Sequence, residues 1–172
     1  MWSASIFWAI TRRNKFKGRK DFPSFATRGN IKFFTGFGMR SKSRECAFKI
    51  IFASLFHDGD SDSFRRGVYK AFALDEEEQA YAEVLVKCVF SHKEELLSEL
   101  DKLSIGFSEK RMFPVDKSLL LMAMAEIRYI DDVPDIVAID EAVGLAKKYS
   151  TEKSVGYVNG VLAAFIGKGE EK

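Results

Sequence analysis

The chain predicts an all-α bundle of about six or seven helices, and three observations carry that prediction. From residue 43 to residue 166, apolar residues recur at spacings of three and four in successive segments. Nowhere in that stretch do apolar and polar residues alternate with the two-residue period of a half-buried strand. The connections are short runs rich in Asp, Ser, Gly and Pro, the residues that end helices. With 172 residues and 47% hydrophobic content, the chain suffices for one domain with a real core.

Taken in order, the first helix has Ser43 placed as its cap and Glu45 in its opening turn. Its wide apolar face is Ala47, Phe48, Ile51, Phe52, Leu55 and Phe56, and HDGDSDS at 57–63 stops it. A short stretch, FRRGVYKAFAL, follows. Asp75 and the acidic run EEE then open a second long helix marked by Ala80, Val84, Leu85, Cys88 and Val89. HKEELLSELDKL repeats the signal through Leu96, Leu97, Leu100 and Leu103, with Gly106 as its stop. In VDKSLLLMAMAEIRYI, apolar residues surround the helix between Leu119 and Ala125, which predicts a central helix covered on all sides. DDVPD sets Pro134 in the first turn of the next helix, whose stripe is Ile136, Ile139, Val143 and Ala146 and whose end carries Lys147 and Lys148. The last helix starts at Thr151 with the stripe Val155, Val158, Leu162 and Phe165. Its Gly156 and Gly160 predict close approach of a neighbouring backbone.

The formal net charge of +2 hides an asymmetry. Residues 1–38 hold eight Lys/Arg against a single Asp21, and the remainder holds 19 Lys/Arg against 24 Asp/Glu, a net of −5. The body cannot attract a polyanion through overall charge, so any such attraction must be local. Residues 1–38 carry nine of the 23 aromatics without a helical or strand period, and the cations follow a short apolar run rather than precede it. Such a segment is a transit peptide, a nucleic-acid-binding tail, or sequence upstream of a true start at Met39; the incomplete targeting signature favours the last. The expected organisation is therefore a leader over 1–38, a helical domain over 39–166 and a charged tail over 167–172. No apolar run approaches the roughly 18 to 20 residues of a membrane helix. Cys46 and Cys88, isolated within apolar helical patterns, read as small buried hydrophobes in a reducing compartment, so a cytoplasmic location is expected.

The inventory for catalysis is thin. His57 and His92 lie in no metal-spaced cluster and read as helix-end residues at the solvent side. Asp131, Asp132, Asp135, Asp140 and Glu141 surround a helix N-terminus, where acids favour the helix dipole. GFGMRS at 36–41 lacks the pattern of a phosphate-cradling glycine loop. No enzyme activity and no cofactor are expected. Arg40, Lys42 and Arg44 differ in kind, because cations at a helix start oppose its dipole by a few tenths of a kcal/mol each. With Ser41 and Ser43 between them they offer charge and hydrogen-bond donors to phosphate. Composition alone weighs that reading evenly against a merely solubilising start.

SRECAFKIIFA at 43–53, VDKSLLLMAMAEI at 115–127, DVPDIVAIDEAVGLAKKYS at 132–150 and YVNGVL at 157–162 resemble, in order and spacing, the NusB family of transcription antitermination factors. The resemblance covers about residues 39–166, and DVP followed by VAIDEAVGLAKKYS and VNGVL is its most specific part. It implies a non-catalytic protein of two small helical subdomains. Such a protein binds the boxA segment of ribosomal RNA operon transcripts together with the ribosomal protein NusE, within an RNA polymerase antitermination complex. Carried over position by position, the resemblance assigns RNA contact to Arg40, Lys42 and Arg44, to Lys153, and to Tyr157 as a base-stacking ring. Phe52, Phe56 and Asp116 correspond to the NusE surface, although the two phenylalanines read equally well as core. The basic run is interrupted by Ser41 and Ser43 where many relatives have arginine, which implies weak RNA binding alone and tightening by NusE. Two rival readings remain. One is a NusB-like domain of an RNA cytosine methyltransferase, for which the 172 residues leave no room for a methyl-donor domain. The other is a helical interaction module without RNA, such as a homodimer formed through apolar helix faces.

Overall fold

The computed structural model describes residues 37–56, 61–104 and 111–170. Residues 1–36 of the leader expected over 1–38, His57, the expected Gly106 stop and the last two residues lie outside the described residues. Seven helices are described: α1 (Phe37–Ala53), α2 (Asp62–Ala71), α3 (Glu76–Ser91), α4 (Lys93–Leu103), α5 (Pro114–Tyr129), α6 (Asp135–Tyr149) and α7 (Glu152–Glu170). No strand occurs among the described residues.

Local chemistry explains the boundaries. Ser61 caps α2 by accepting from the Phe64 amide at 3.3 Å. Asp75 and Glu78 form a reciprocal capping box at the start of α3, with bonds of 2.8 and 3.0 Å. Pro114 occupies the first turn of α5, and Thr151 Oγ1 accepts from the Ser154 amide at the start of α7. FRRGVYKAFAL, given no element from sequence, supplies most of α2. That helix ends in a Schellman turn: the Ala73 amide bonds the Lys70 carbonyl at 3.0 Å and the Leu74 amide bonds the Tyr69 carbonyl at 3.2 Å. Ala73 takes the left-handed position there, with φ 47°, where glycine would be unstrained.

α5 is the central helix. Every residue from Leu119 to Ala125 is buried, and α5 packs on α1, α3, α4, α6 and α7. The two-part grouping is visible in the packing: α1 lies chiefly on α3, whereas α6 and α7 lie on each other, and α5 belongs to both groups. On α1 the core takes Cys46, Ala47, Phe48, Ile50 and Ile51, so the expected apolar face is split along its length. Phe52 is half-buried and Phe56 is 57% exposed. On α6, Ile136 leaves the core at 62% exposure, while Ala138, Ala142 and Leu145 enter it.

Two further expectations are corrected. α1 begins at Phe37, upstream of Ser43, so Ser43 does not cap it and is instead fully buried inside it. Gly156 and Gly160 admit no neighbouring backbone, because a Cβ at either would meet nothing within 4 Å. Both glycines lie opposite the buried stripe of Ser154, Val158, Val161, Leu162 and Phe165. Among the described residues no helix is long and apolar enough to cross a membrane.

Candidate nucleic-acid interface

The basic positions of α1 follow from its register. Arg40 closes its first turn and residues 41 to 44 lie in the second, so the dipole penalty read at a helix end is largely absent at Lys42 and Arg44, since that effect fades within the first turn. Successive positions point different ways. Arg40 and Lys42 reach the surface, whereas Arg44 points inward and is 1% exposed.

Arg44, expected alongside Arg40 and Lys42 as an RNA contact, does not present its charge to solvent. Its Nε donates to Glu126 Oε1 and Oε2 at 2.8 and 3.0 Å, and its Nη2 lies 2.7 Å from Glu126 Oε1. The Tyr81 hydroxyl donates to the same carboxylate. Burial alone would lower the Arg44 pKa, but the Glu126 hydrogen bond and charge, with Tyr81 and Glu141 nearby, raise it. Burial, then the Glu126 charge, pushes the Tyr81 phenol up. The cluster is therefore a buried Arg⁺–Glu⁻ pair beside a neutral tyrosine. Removing one partner of such a pair typically costs about 3–5 kcal/mol.

Arg40 Nη2 lies 2.6 Å from Asp132 Oδ2, and its guanidinium sits 4.7 Å from the centroid of the Tyr81 ring. Lys42 Nζ donates to the Ala73 carbonyl at 2.8 Å and to Glu78 Oε2 at 3.3 Å. The Ser41 hydroxyl donates to Glu141 Oε1 at 2.6 Å. Exposed pairs of this kind contribute about 0–1 kcal/mol. Asp132 and Glu141, read from sequence as dipole-favouring acids, instead face α1. Glu78 both caps α3 and pairs with Lys42. No local pattern signals these partners, because Arg40 and Asp132 stand 92 positions apart.

The remaining expected site residues are dispersed. α6 runs beside α1, with Ser41 facing Glu141, Glu45 facing Lys148, and Phe48 5.3 Å from the Tyr149 ring. Lys153, four residues beyond Tyr149, is exposed in the first turn of α7. Tyr157 is half-buried, with its hydroxyl 3.0 Å from Ser104 Oγ. Asp116 is 5% exposed and accepts from Ser150 Oγ at 2.5 Å and Ser154 Oγ at 2.7 Å, joining α5 to the α6–α7 junction. Phe52 and Phe56 stack edge to face at 5.2 Å, one half-buried and one outside. A groove of ≈ 400 Å³ between α1 and α6 is lined by Lys42 with Glu45, Asp140 and Glu141, among others, so three carboxylates face one lysine. Such a lining does not suit a small anion.

The NusB family model matches residues 41–167. The chain belongs to the NusB family. A transcription antitermination protein NusB of Agathobacter rectalis is 38% identical over 128 residues, spanning 73% of this chain and 98% of that protein. Its counterpart from Limosilactobacillus fermentum is 39% identical over 132 residues, spanning 74% and 93%. Among solved structures, NusB of T. maritima superposes with a TM-score of 0.65 at 26% identity, over 73% of this chain and 89% of that one. A crystal structure of the antitermination factors NusB and NusE in complex with double-stranded RNA matches with a TM-score of 0.68 at 26% identity, over 74% and 95%. NusB proteins are non-enzymatic, RNA-binding antitermination factors, and their all-α fold is the one described above.

Proposed function

We propose that this chain is a cytoplasmic antitermination factor that binds the boxA segment of ribosomal RNA operon transcripts jointly with NusE. The observation that carries this reading is the likeness to the NusB–NusE–RNA complex, which extends over 95% of that NusB-fold chain. In this reading Arg40, Lys42 and Lys153 meet phosphates, the half-buried ring of Tyr157 offers a stacking edge, and Phe52 with Phe56 faces the protein partner. Arg44 serves from inside, holding α1 against α3 and α5 so that Arg40 and Lys42 stand at fixed positions. Asp116 serves the α6–α7 junction that sets Lys153. The acidic body suits a basic ribosomal partner.

The test is titration of labelled boxA RNA against a scrambled RNA, with and without NusE. Weak boxA binding alone and tighter, sequence-selective binding with NusE are expected. Equal binding of both RNAs in the presence of NusE refutes the reading. Log affinity for single-stranded RNA should fall against log salt by about 0.7 for each net counterion released.

A further inference from the structure

Each surface cation of the α1 basic run already holds an anion of its own chain. Arg40 pairs with Asp132, in the turn between α5 and α6, and Lys42 pairs with Glu78, in the first turn of α3. These two pairs are open to water, with the Asp132 side chain 44% and the Lys42 side chain 42% exposed, unlike the sealed Arg44–Glu126 pair. A carboxylate oxygen 2.6 Å from Arg40 Nη2 takes the place and the charge that a phosphate oxygen would take.

We propose that Asp132 and Glu78 are intramolecular competitors of RNA phosphate, so that RNA binding at Arg40 and Lys42 exchanges one anion for another. The proposal rests on the RNA-binding reading above. Each exchange breaks one charge-assisted contact to make another, so the cations add less affinity than their number suggests. It also changes the salt dependence. A neutralised phosphate releases a counterion, while the freed carboxylate takes one up, which nearly cancels the release at that position. Asp132 and Glu78 thus set both the strength and the salt sensitivity of binding. Competition of this kind is open only at the two exposed pairs; Arg44 has no exposed face to exchange.

The experiment compares the full chain with its Asp132→Asn and Glu78→Gln variants in titrations of labelled boxA RNA with NusE across a salt series. Glutamine retains the acceptor that Glu78 contributes to the capping box. Each variant is expected to bind about 2- to 5-fold more tightly, the range in which exposed ion pairs act. Its salt slope should steepen by about 0.7, one single-strand phosphate's worth. Asp131→Asn removes the same charge from an exposed neighbour that pairs with neither cation, and is expected to give a smaller gain and no change of slope. The Asp132→Asn gain should vanish in an Arg40→Gln background. Weaker binding by Asp132→Asn, an equal gain from Asp131→Asn, or a gain that survives Arg40→Gln would each overturn the competition. The wild-type comparison of boxA with scrambled RNA judges the RNA reading separately: selective wild-type binding with unaltered variants rejects only the competition, and no RNA binding by any of the proteins rejects both.

Discussion

Arg44 of α1 grips Glu126 of α5 through Nε at 2.8 Å and Nη2 at 2.7 Å, with both side chains out of water. Replacing Arg44 by alanine strands the Glu126 charge in the core and should cost about 3–5 kcal/mol of stability. A variant combining Arg44→Met and Glu126→Leu with Tyr81→Phe removes both charges together with the hydroxyl that donates to Glu126, and should recover most of that loss. Urea unfolding of the wild type and the two variants decides it; a small loss for Arg44→Ala would mean that its guanidinium is not committed to the core. A triple alanine replacement of Arg40, Lys42 and Arg44 is therefore unsuitable as a pure test of surface charge.

Asp116 predicts a second internal loss. Its alanine variant leaves two serine hydroxyls without their acceptor at the α6–α7 junction and should cost about 1–3 kcal/mol. Thermal unfolding measures this directly. An unchanged midpoint together with lost NusE binding would return Asp116 to a partner surface.

Three small-residue positions predict gains. Gly156→Ala and Gly160→Ala enter open space in a helix and should each stabilise by about 0.5–1 kcal/mol. Ala73→Gly relieves a left-handed alanine and should stabilise by a similar amount, about 1 kcal/mol. Denaturant midpoints that fall for all three would contradict both the open α7 face and the strained turn.

The thiols predict a reactivity pattern. Burial pushes Cys46 up to about 12 and Cys88 up to about 11. Near neutral pH neither forms much thiolate, so iodoacetamide should leave the folded protein largely unmodified at both positions and label both in denaturant, as read by peptide mass. Rapid labelling of Cys46 in the native protein would contradict its complete burial.

Glu45 predicts a pH effect. Burial alone would raise its carboxyl, but hydrogen bonds from Tyr149 and Lys148 outweigh that and hold it below its ordinary 4.5. The unfolded chain then binds the proton more readily than the native one. The stabilisation is present above pH 4.5 and is lost as pH falls through the lowered native value. Wild type should exceed Glu45→Gln in urea midpoint at neutral pH, and the gap should close in acid. A gap independent of pH would exclude this linkage.

Much of the fold was legible because it depends on local period. The apolar run from Leu119 to Ala125 marked the central helix, and Asp75 with the following acids marked the start of α3. What escaped depends on contacts between distant positions. Nothing local in Arg40, Lys42 and Arg44 says that two point outward and one inward, since helix register shows only once the start is known and α1 starts before Ser43. Asp116 sits two residues after Pro114 and looks like an exposed first-turn acid until Ser150 and Ser154 arrive from the α6–α7 junction. FRRGVYKAFAL was too short and too basic to declare its period, and Gly156 and Gly160 carry no sign of which way they face.

The bond from Lys42 Nζ to the Ala73 carbonyl makes the turn between α2 and α3 a built-in reporter. If Lys42 leaves for a phosphate, that carbonyl loses its cation. A ¹³C label at Ala73 would then register occupancy of Lys42 from within the protein, with no probe on the RNA.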